Sequence, residues 1–105
     1  MMGYYTQYEV EMDKDAELVR EYINENHDEN GCLAAVFNGW AYEMKWYGHE
    51  VDVREVSRHF PDVLITLTGE GEDNGDMWRK YFKGGKMQEC HAKITFDDYD
   101  EKELR

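Results

Sequence analysis

Histidine, cysteine, serine and carboxylate side chains are the groups in this chain whose chemistry could support catalysis or metal binding. The four histidines are His27, His49, His59 and His91, and the two cysteines are Cys32 and Cys90. His49 precedes Glu50 and Cys90 precedes His91, but neighbouring side chains diverge on a strand and lie askew on a helix. No third ligand follows either pair at a recognised metal-site spacing. The sequence therefore predicts no metal site and no bound cofactor.

Covalent catalysis has little support in the sequence. Ser57 is the single serine and falls within a predicted helix, and neither cysteine has a context that would activate its thiol. With 24 Asp and Glu residues, some two carboxylates must lie close to each other by chance. Such a pair is therefore no evidence for an acid–base catalytic dyad. One alternative function is a small hydrolase or nucleotide-processing enzyme that uses His91 or His49 with nearby carboxylates. This alternative requires a histidine with a perturbed pKa.

The segment GEGEDNGDMWRKYFKGGKMQ, residues 69–88, has the glycine content of a phosphate-binding loop. Such a loop leads into a helix whose N-terminal amides meet the anion. Here the following residues alternate in polarity as in a strand, and a phosphate would meet carboxylates. The EF-hand ligand order is also absent, so the segment predicts a solvated acidic loop. Its carboxylates, which we treat as candidate partner-binding residues, are Glu70, Glu72, Asp73 and Asp76.

The second half of this segment predicts a β-hairpin that turns at Gly84-Gly85, since glycine accepts the positive φ angles of a two-residue turn. Counting outward from the turn gives four pairs on one face: Phe82 with Met87, Lys80 with Glu89, Trp78 with His91, and Asp76 with Lys93. The opposite charges of Lys80 and Glu89 favour this register. A slip of one residue would separate them.

The two faces of the hairpin are expected to differ in environment. Every second residue from Cys90 to Phe96 is apolar, so we expect this series to pack against the helices. The opposite face carries aromatic side chains beside charges that are costly to bury, so we expect it to be at least partly exposed to water. This aromatic patch is a candidate partner-binding surface, although aromatic side chains can also merely shield a sheet. It consists of Trp78, Phe82, Met87 and His91.

The remaining elements follow from hydrophobic periodicity. Residues 4–12 alternate as a strand, AELVREYINEN and HEVDVREVSRHF have helical spacing, and DVLITLTG predicts a central strand. Asn38-Gly39 predicts a hairpin between CLAAVF and WAYEMKWY, although residues 32–37 also suit an extension of the first helix. The sequence predicts one α+β domain over residues 1–105, with 97–105 as a charged tail. Its mainly antiparallel sheet has four to five strands, two helices on one face and a C-terminal β-hairpin.

The net charge of the 105-residue chain is −12. This charge opposes direct binding to nucleic acid or to an anionic membrane, and it favours a basic partner or serves solubility alone. The chain has neither a C-x-x-C motif nor an apolar run long enough to span a membrane. We therefore expect a cytoplasmic protein.

Several segments together resemble small acidic proteins encoded by phages, prophages and other mobile elements. They are the opening GYYTQYEVEM, KWY before a helix, FPDVL at a strand start, and the W…YF…GKMQ hairpin. The resemblance implies a ferredoxin-like sandwich and brings no catalytic residues. It implies a non-enzymatic protein that inhibits or modulates a host macromolecule, as anti-CRISPR and DNA-mimic inhibitors do. The partner would be a host protein with a basic surface, such as a nuclease or CRISPR effector; a homodimeric structural or regulatory subunit is a third alternative.

Overall fold

The computed structural model of the chain describes residues 4–73 and 75–105. Within these residues it contains five strands and three α-helices. In chain order they are β1 Thr6–Met12, α1 Ala16–Asn26, α2 Cys32–Asn38, β2 Glu43–Met44, α3 His49–His59, β3 Ile65–Gly71, β4 Met77–Lys83 and β5 Lys86–His91. A single 3₁₀ turn follows at Glu101–Glu103. None of the described helices is long and apolar enough to cross a membrane.

The strands form one sheet in the order β2-β1-β3-β4-β5, and every neighbouring pair is antiparallel. This confirms the predicted α+β class with an antiparallel sheet. β3 is the central strand, as its β-branched residues predict. The glycine turn joins β4 and β5 in the predicted register, with Phe82 opposite Met87 and Trp78 opposite His91.

The helices cover one face of the sheet, and alternation in β1 shows which face that is. Thr6 and Tyr8 are buried, whereas Glu9 and Glu11 are exposed on the opposite side. One core joins buried side chains from the helices and from the inward positions of the strands. It includes Val19, Ile23, Val36, Phe37, Val53, Val56, Ile65, Leu67 and Phe82. Burial of these apolar surfaces is the main force that holds the helices on the sheet.

The hairpin predicted at Asn38-Gly39 is wrong, because residues 32–38 form helix α2. Gly39 has φ of 75° and ends this helix. Its N–H donates to the Val36 carbonyl at 3.2 Å, and the Trp40 N–H donates to the Ala35 carbonyl at 2.9 Å. These two bonds define a Schellman motif. Helix caps and type I′ turns both use glycine at positive φ, so Asn-Gly fits either structure.

The chain beyond β5 extends away from the core. Ile94 is 63% exposed and Phe96 is 91% exposed, so the expected packing of this apolar series against the helices is wrong. Only Cys90 of the series lies within a strand. Cys90 lies opposite Arg79 on the open face of the sheet, and the residues after Ala92 lie beyond the end of β5.

Candidate functional site

The aromatic patch lies on the covered face of the sheet. Phe82 is fully buried, Trp78 and Met87 are half-buried, and His91 is exposed. Phe82 lies opposite Ile65 of the core in the β3–β4 register, which turns its side chain toward the helices. The prediction that the helices cover the other face of the hairpin is therefore wrong, and Phe82 has no surface to offer a partner, whereas Trp78, Met87 and His91 keep the partial exposure expected of them. Alternation within a hairpin defines two faces but does not show which one the helices cover.

Trp78 packs closely against the central strand and α3. Its indole lies over Gly69, where an added Cβ atom would come within 2.1 Å of Trp78 Cζ2. On its other side the indole stacks with the His49 ring, with centroids 5.1 Å apart and planes 14° apart. Gly69 therefore permits an approach that no larger residue would allow.

Lys80 lies beside Trp78 on the covered face and is only 5% exposed. Its Nζ lies 2.7 Å from His49 Nε2, 2.9 Å from Glu50 Oε2 and 3.9 Å from Glu89 Oε2. It also lies 4.3 Å from the centroid of the Trp78 ring. A buried ammonium group is stable only when it is paired and hydrogen-bonded, and these neighbours provide both. We call Lys80, His49, Glu50, Glu89 and Trp78 the Lys80 cluster.

The histidine of the Lys80 cluster is fully engaged. His49 Nδ1 lies 2.8 Å from the Trp46 carbonyl oxygen, to which it donates, so Nε2 is left to accept from Lys80. Burial lowers the pKa of His49, and the charge of Lys80 lowers it further. The hydrogen bond from Lys80 also lowers the pKa of Glu50. The cluster thus holds a neutral imidazole with no free nitrogen, whereas a general base needs one within reach of substrate.

The contacts of Ser57 and Cys32, the remaining nucleophile candidates, also indicate structural roles. The buried Ser57 hydroxyl donates to the Arg54 carbonyl at 2.9 Å and accepts from the Gly85 N–H at 2.8 Å. It therefore fixes the β4–β5 turn on α3. Burial raises the pKa of the Cys32 thiol, whereas a nucleophilic cysteine needs a lowered pKa.

A second titratable cluster joins α1 to α3 around Glu55. The Tyr22 hydroxyl donates to Glu55 Oε2, while His27 Nε2 lies 2.6 Å from Oε1 and His59 Nε2 lies 3.1 Å from Oε2. Burial, together with the bond to Glu55, raises the pKa of Tyr22 to about 12. Across residues 4–73 and 75–105, no three His, Cys, Asp or Glu side chains are arranged to hold a metal ion. The Glu55 contacts tie the two helices together.

The open face of the sheet separates acidic from basic side chains. Gln7 lies between Glu43 and Glu70 in the register, and the exposed carboxylates of β1 project from the same side. The acidic face, as we call it, consists of Glu9, Glu11, Glu43 and Glu70. The β4–β5 half of the sheet instead carries Arg79, Lys83 and Lys86. Charge is therefore segregated along the sheet.

The acidic loop adjoins the acidic face and leads into β4, as its polarity pattern predicts. Glu72 and Asp73 are exposed, and residue 74 lies outside the described residues. The Tyr4 hydroxyl donates to Asp76 Oδ2 at 2.6 Å and accepts from the Asp73 N–H at 2.9 Å. The bond to Asp76 raises the pKa of Tyr4. These contacts fix Asp76 and the loop backbone at Asp73 against Tyr4.

A groove of about 510 Å³ lies at the β1 edge, beside the acidic face. Its lining includes Tyr42 and Met77 together with Glu9 and Glu70. Tyr42 is 66% exposed and Met77 is 41% exposed, so both offer apolar surface among carboxylates. Neither residue is predicted as a binding residue by the sequence, because Met77 alternates with Trp78 and so falls on the hairpin face expected to pack against the helices, and Tyr42 falls within the predicted strand WAYEMKWY. The alternation in β1 could have indicated an acidic open face, because it puts Glu9 and Glu11 on the outer side of the strand.

Comparison of the chain with protein-family models, curated proteins and solved structures gives no match. Function is therefore inferred from the residues and geometry of the chain itself. The resemblance to phage-encoded proteins stays a prediction.

Proposed function

We propose that this is a non-enzymatic protein that docks its acidic face on a basic surface of a host macromolecule and inhibits or modulates it. The observation that carries the proposal is the charge segregation on the open sheet face. Acids placed for solubility alone need no such order, because interspersed charges serve solubility equally well. Complementary potentials accelerate and orient association with a partner.

The groove supplies the apolar contacts that a charged surface lacks. Protein interfaces combine a desolvated apolar centre with a polar rim, and aromatic residues commonly anchor the centre. Tyr42 and Met77 lie in the groove, with Glu9 and Glu70 beside them. We infer that the two apolar side chains form the centre of the interface and that the carboxylates form its rim.

The phage resemblance suggests the identity of the partner. A host nuclease or CRISPR effector has a basic nucleic-acid channel, which an acidic surface can occupy as a DNA mimic. Such a partner implies that the protein acts in the host cytoplasm, as a monomer or a homodimer. A ferredoxin-like fold is a further expectation from this resemblance; the observed third helix and the β3-β4-β5 meander lie outside its usual β-α-β-β-α-β order.

Affinity capture from a host lysate, with two matched variants, tests the proposal. One variant carries Glu9→Gln, Glu11→Gln and Glu70→Gln on the sheet. The control carries Glu17→Gln, Glu21→Gln and Glu25→Gln, three exposed positions of α1. We expect wild type and control to retain one basic protein at low salt, and the sheet variant to lose it. Recovery of no partner at low salt, or equal recovery by both variants, would contradict the proposal.

The enzyme alternative depends on His49 or His91, which the structure brings near Glu89. His91 Nε2 lies 3.5 Å from Glu89 Oε2, and the His91 side chain is 71% exposed. His49 already uses both ring nitrogens. This geometry favours a structural role over acid–base catalysis. An NMR titration in which an added substrate shifts the His91 resonances would revive the alternative.

A further inference from the structure

β5 lies at the edge of the sheet, and no strand in the described part of the chain pairs with its outer side. The chain continues beyond it through residues 92–100 without regular structure. We call residues 92–105 the arm. Ile94, Phe96 and Tyr99 of the arm are all well exposed, with Phe96 at 91%. Single exposed apolar residues are ordinary, but three along one short segment indicate a contact surface.

The molecule is more extended than a compact domain of its length. The radius of gyration is 16.8 Å, compared with about 13 Å for such a domain. The Ala92 N–H still donates to the Met77 carbonyl of β4 at 2.9 Å. The arm beyond Ala92 has no regular pairing, and its apolar side chains are exposed, so it is available to a partner strand.

The β4–β5 turn is basic, although the protein is acidic. Lys83 and Lys86 flank the turn, Arg54 Nη1 donates to the Gly85 carbonyl at 3.3 Å, and the Arg58 side chain lies against Gly85. These four residues, which we call the basic turn, are a third of the 12 basic residues in the chain. The arm is net acidic, because its five acids, Asp97, Asp98, Asp100, Glu101 and Glu103, outnumber its three bases, Lys93, Lys102 and Arg105. The arm and the basic turn are therefore complementary in charge.

The arm leads away from the basic turn of its own chain, so it could reach that turn only if the chain reversed direction. β5 runs from Lys86 at the turn to His91 at the far end, and the arm continues from there. An antiparallel second copy removes this difficulty, because its arm runs back along β5 toward the turn. Lys86 and Asp98 are equally far in sequence from Ala92. A twofold axis near Ala92 would therefore place each Asp98 beside the other copy's Lys86.

We propose that two copies of this chain associate by exchanging arms along the β5 edge. In the same register Phe96 lies beside Gln88, whose neighbour across the sheet is Tyr81. Both residues line a groove of about 380 Å³, together with Leu64 and Met87. Phe96 enters this groove, and the arm carboxylates contact the basic turn. The pairing covers both exposed β5 edges and leaves the acidic face free, so it does not depend on the proposed function.

The test is a charge-swap series on the full chain, measured by size exclusion with light scattering over a micromolar dilution series. Lys83→Glu with Lys86→Glu, and separately Asp97→Lys with Asp98→Lys, should each convert the dimer to a monomer. The quadruple variant, which restores the wild-type net charge, should dimerise again. Phe96→Ser should also weaken the dimer, and circular dichroism confirms that each variant is folded.

Three results would overturn the arm exchange. The first is a wild-type chain that stays monomeric throughout the series. The second is a dimer that survives both charge reversals, since such a dimer would use another surface. Failure of the quadruple variant to recover, although it is folded, would equally contradict the pairing of arm with basic turn.

Discussion

Lys80 is a charged residue that is buried in the packed side of the sheet. Its position opposite Glu89 follows from the hairpin register, but its burial depends on α3, which brings His49 and Glu50 onto its ammonium group. No local pattern links residues 30 positions apart. Glu89 could therefore be predicted as a partner of Lys80 from the hairpin register, whereas His49 and Glu50 could not.

The lowered pKa of His49 predicts how stability changes with pH. The folded state disfavours the imidazolium, so the unfolded chain binds the additional proton once the pH falls below the ordinary histidine value of 6.5. The contribution of His49 is thus complete above that pH and is lost as the pH falls through the folded-state pKa. Urea unfolding from about pH 7 to 5.5 should show a decline that His49→Gln reduces.

Identical slopes for wild type and His49→Gln would show that His49 is not held neutral by burial and Lys80.

Gly69 offers a second test at the scale of one residue. Gly69→Ala would drive a methyl group into the Trp78 indole, and overpacking of this kind costs about 1 to 3 kcal/mol. Gly48→Ala is the matched control, since nothing lies within 4 Å of its added Cβ atom. Thermal unfolding should show a lower midpoint for Gly69→Ala alone. Equal midpoints would mean that the indole does not pack over Gly69 in solution.

At the scale of elements, periodicity identified β1, α1, α3 and β3, because each has one buried side. It failed at α2, a helix of seven residues with few polar positions to mark its period. Leu33 and Ala34 are both buried, as they would be in a buried strand. Since glycine at positive φ suits a helix cap and a hairpin alike, only tertiary packing decides between them.

The β4–β5 hairpin shows a different limit of sequence analysis. The turn fixed the register, but the choice of covered face came from β3, whose Ile65 and Leu67 align Phe82 and Lys80 with the core. The apolar series after Cys90 suggested the opposite choice, because it belongs to the arm. The predicted aromatic patch was misplaced for that reason.

Phe82→Ala tests which face of β4 is covered. Removal of a fully buried phenylalanine leaves a cavity and should reduce the free energy of unfolding by about 3 to 5 kcal/mol. Tyr81→Ala, on the open face of the same strand, should cost about 1 kcal/mol. Chemical denaturation of the two variants measures both losses of the free energy of unfolding. A larger loss for Tyr81→Ala would reverse the assignment of the faces.

At the scale of the whole molecule, the two ends of the sheet carry different charge. The acidic face lies on β2, β1 and β3, the acidic loop joins β3 to β4, and the basic turn joins β4 to β5. Composition gave the net charge of −12 but not this arrangement, which arises from the order of strands in the sheet. We therefore propose two separate interactions. The acidic face binds a basic partner, and the β5 edge binds a second copy of the chain.

The most direct test of the acidic face is the salt dependence of association with the captured partner. Stopped-flow rates should fall with ionic strength for wild type and for the α1 control variant, because long-range attraction between charges is screened. The variant with Glu9→Gln, Glu11→Gln and Glu70→Gln should associate more slowly and show a flatter dependence, with unchanged stability. Equal rates and equal slopes for all three proteins would contradict the claim that this face binds the partner.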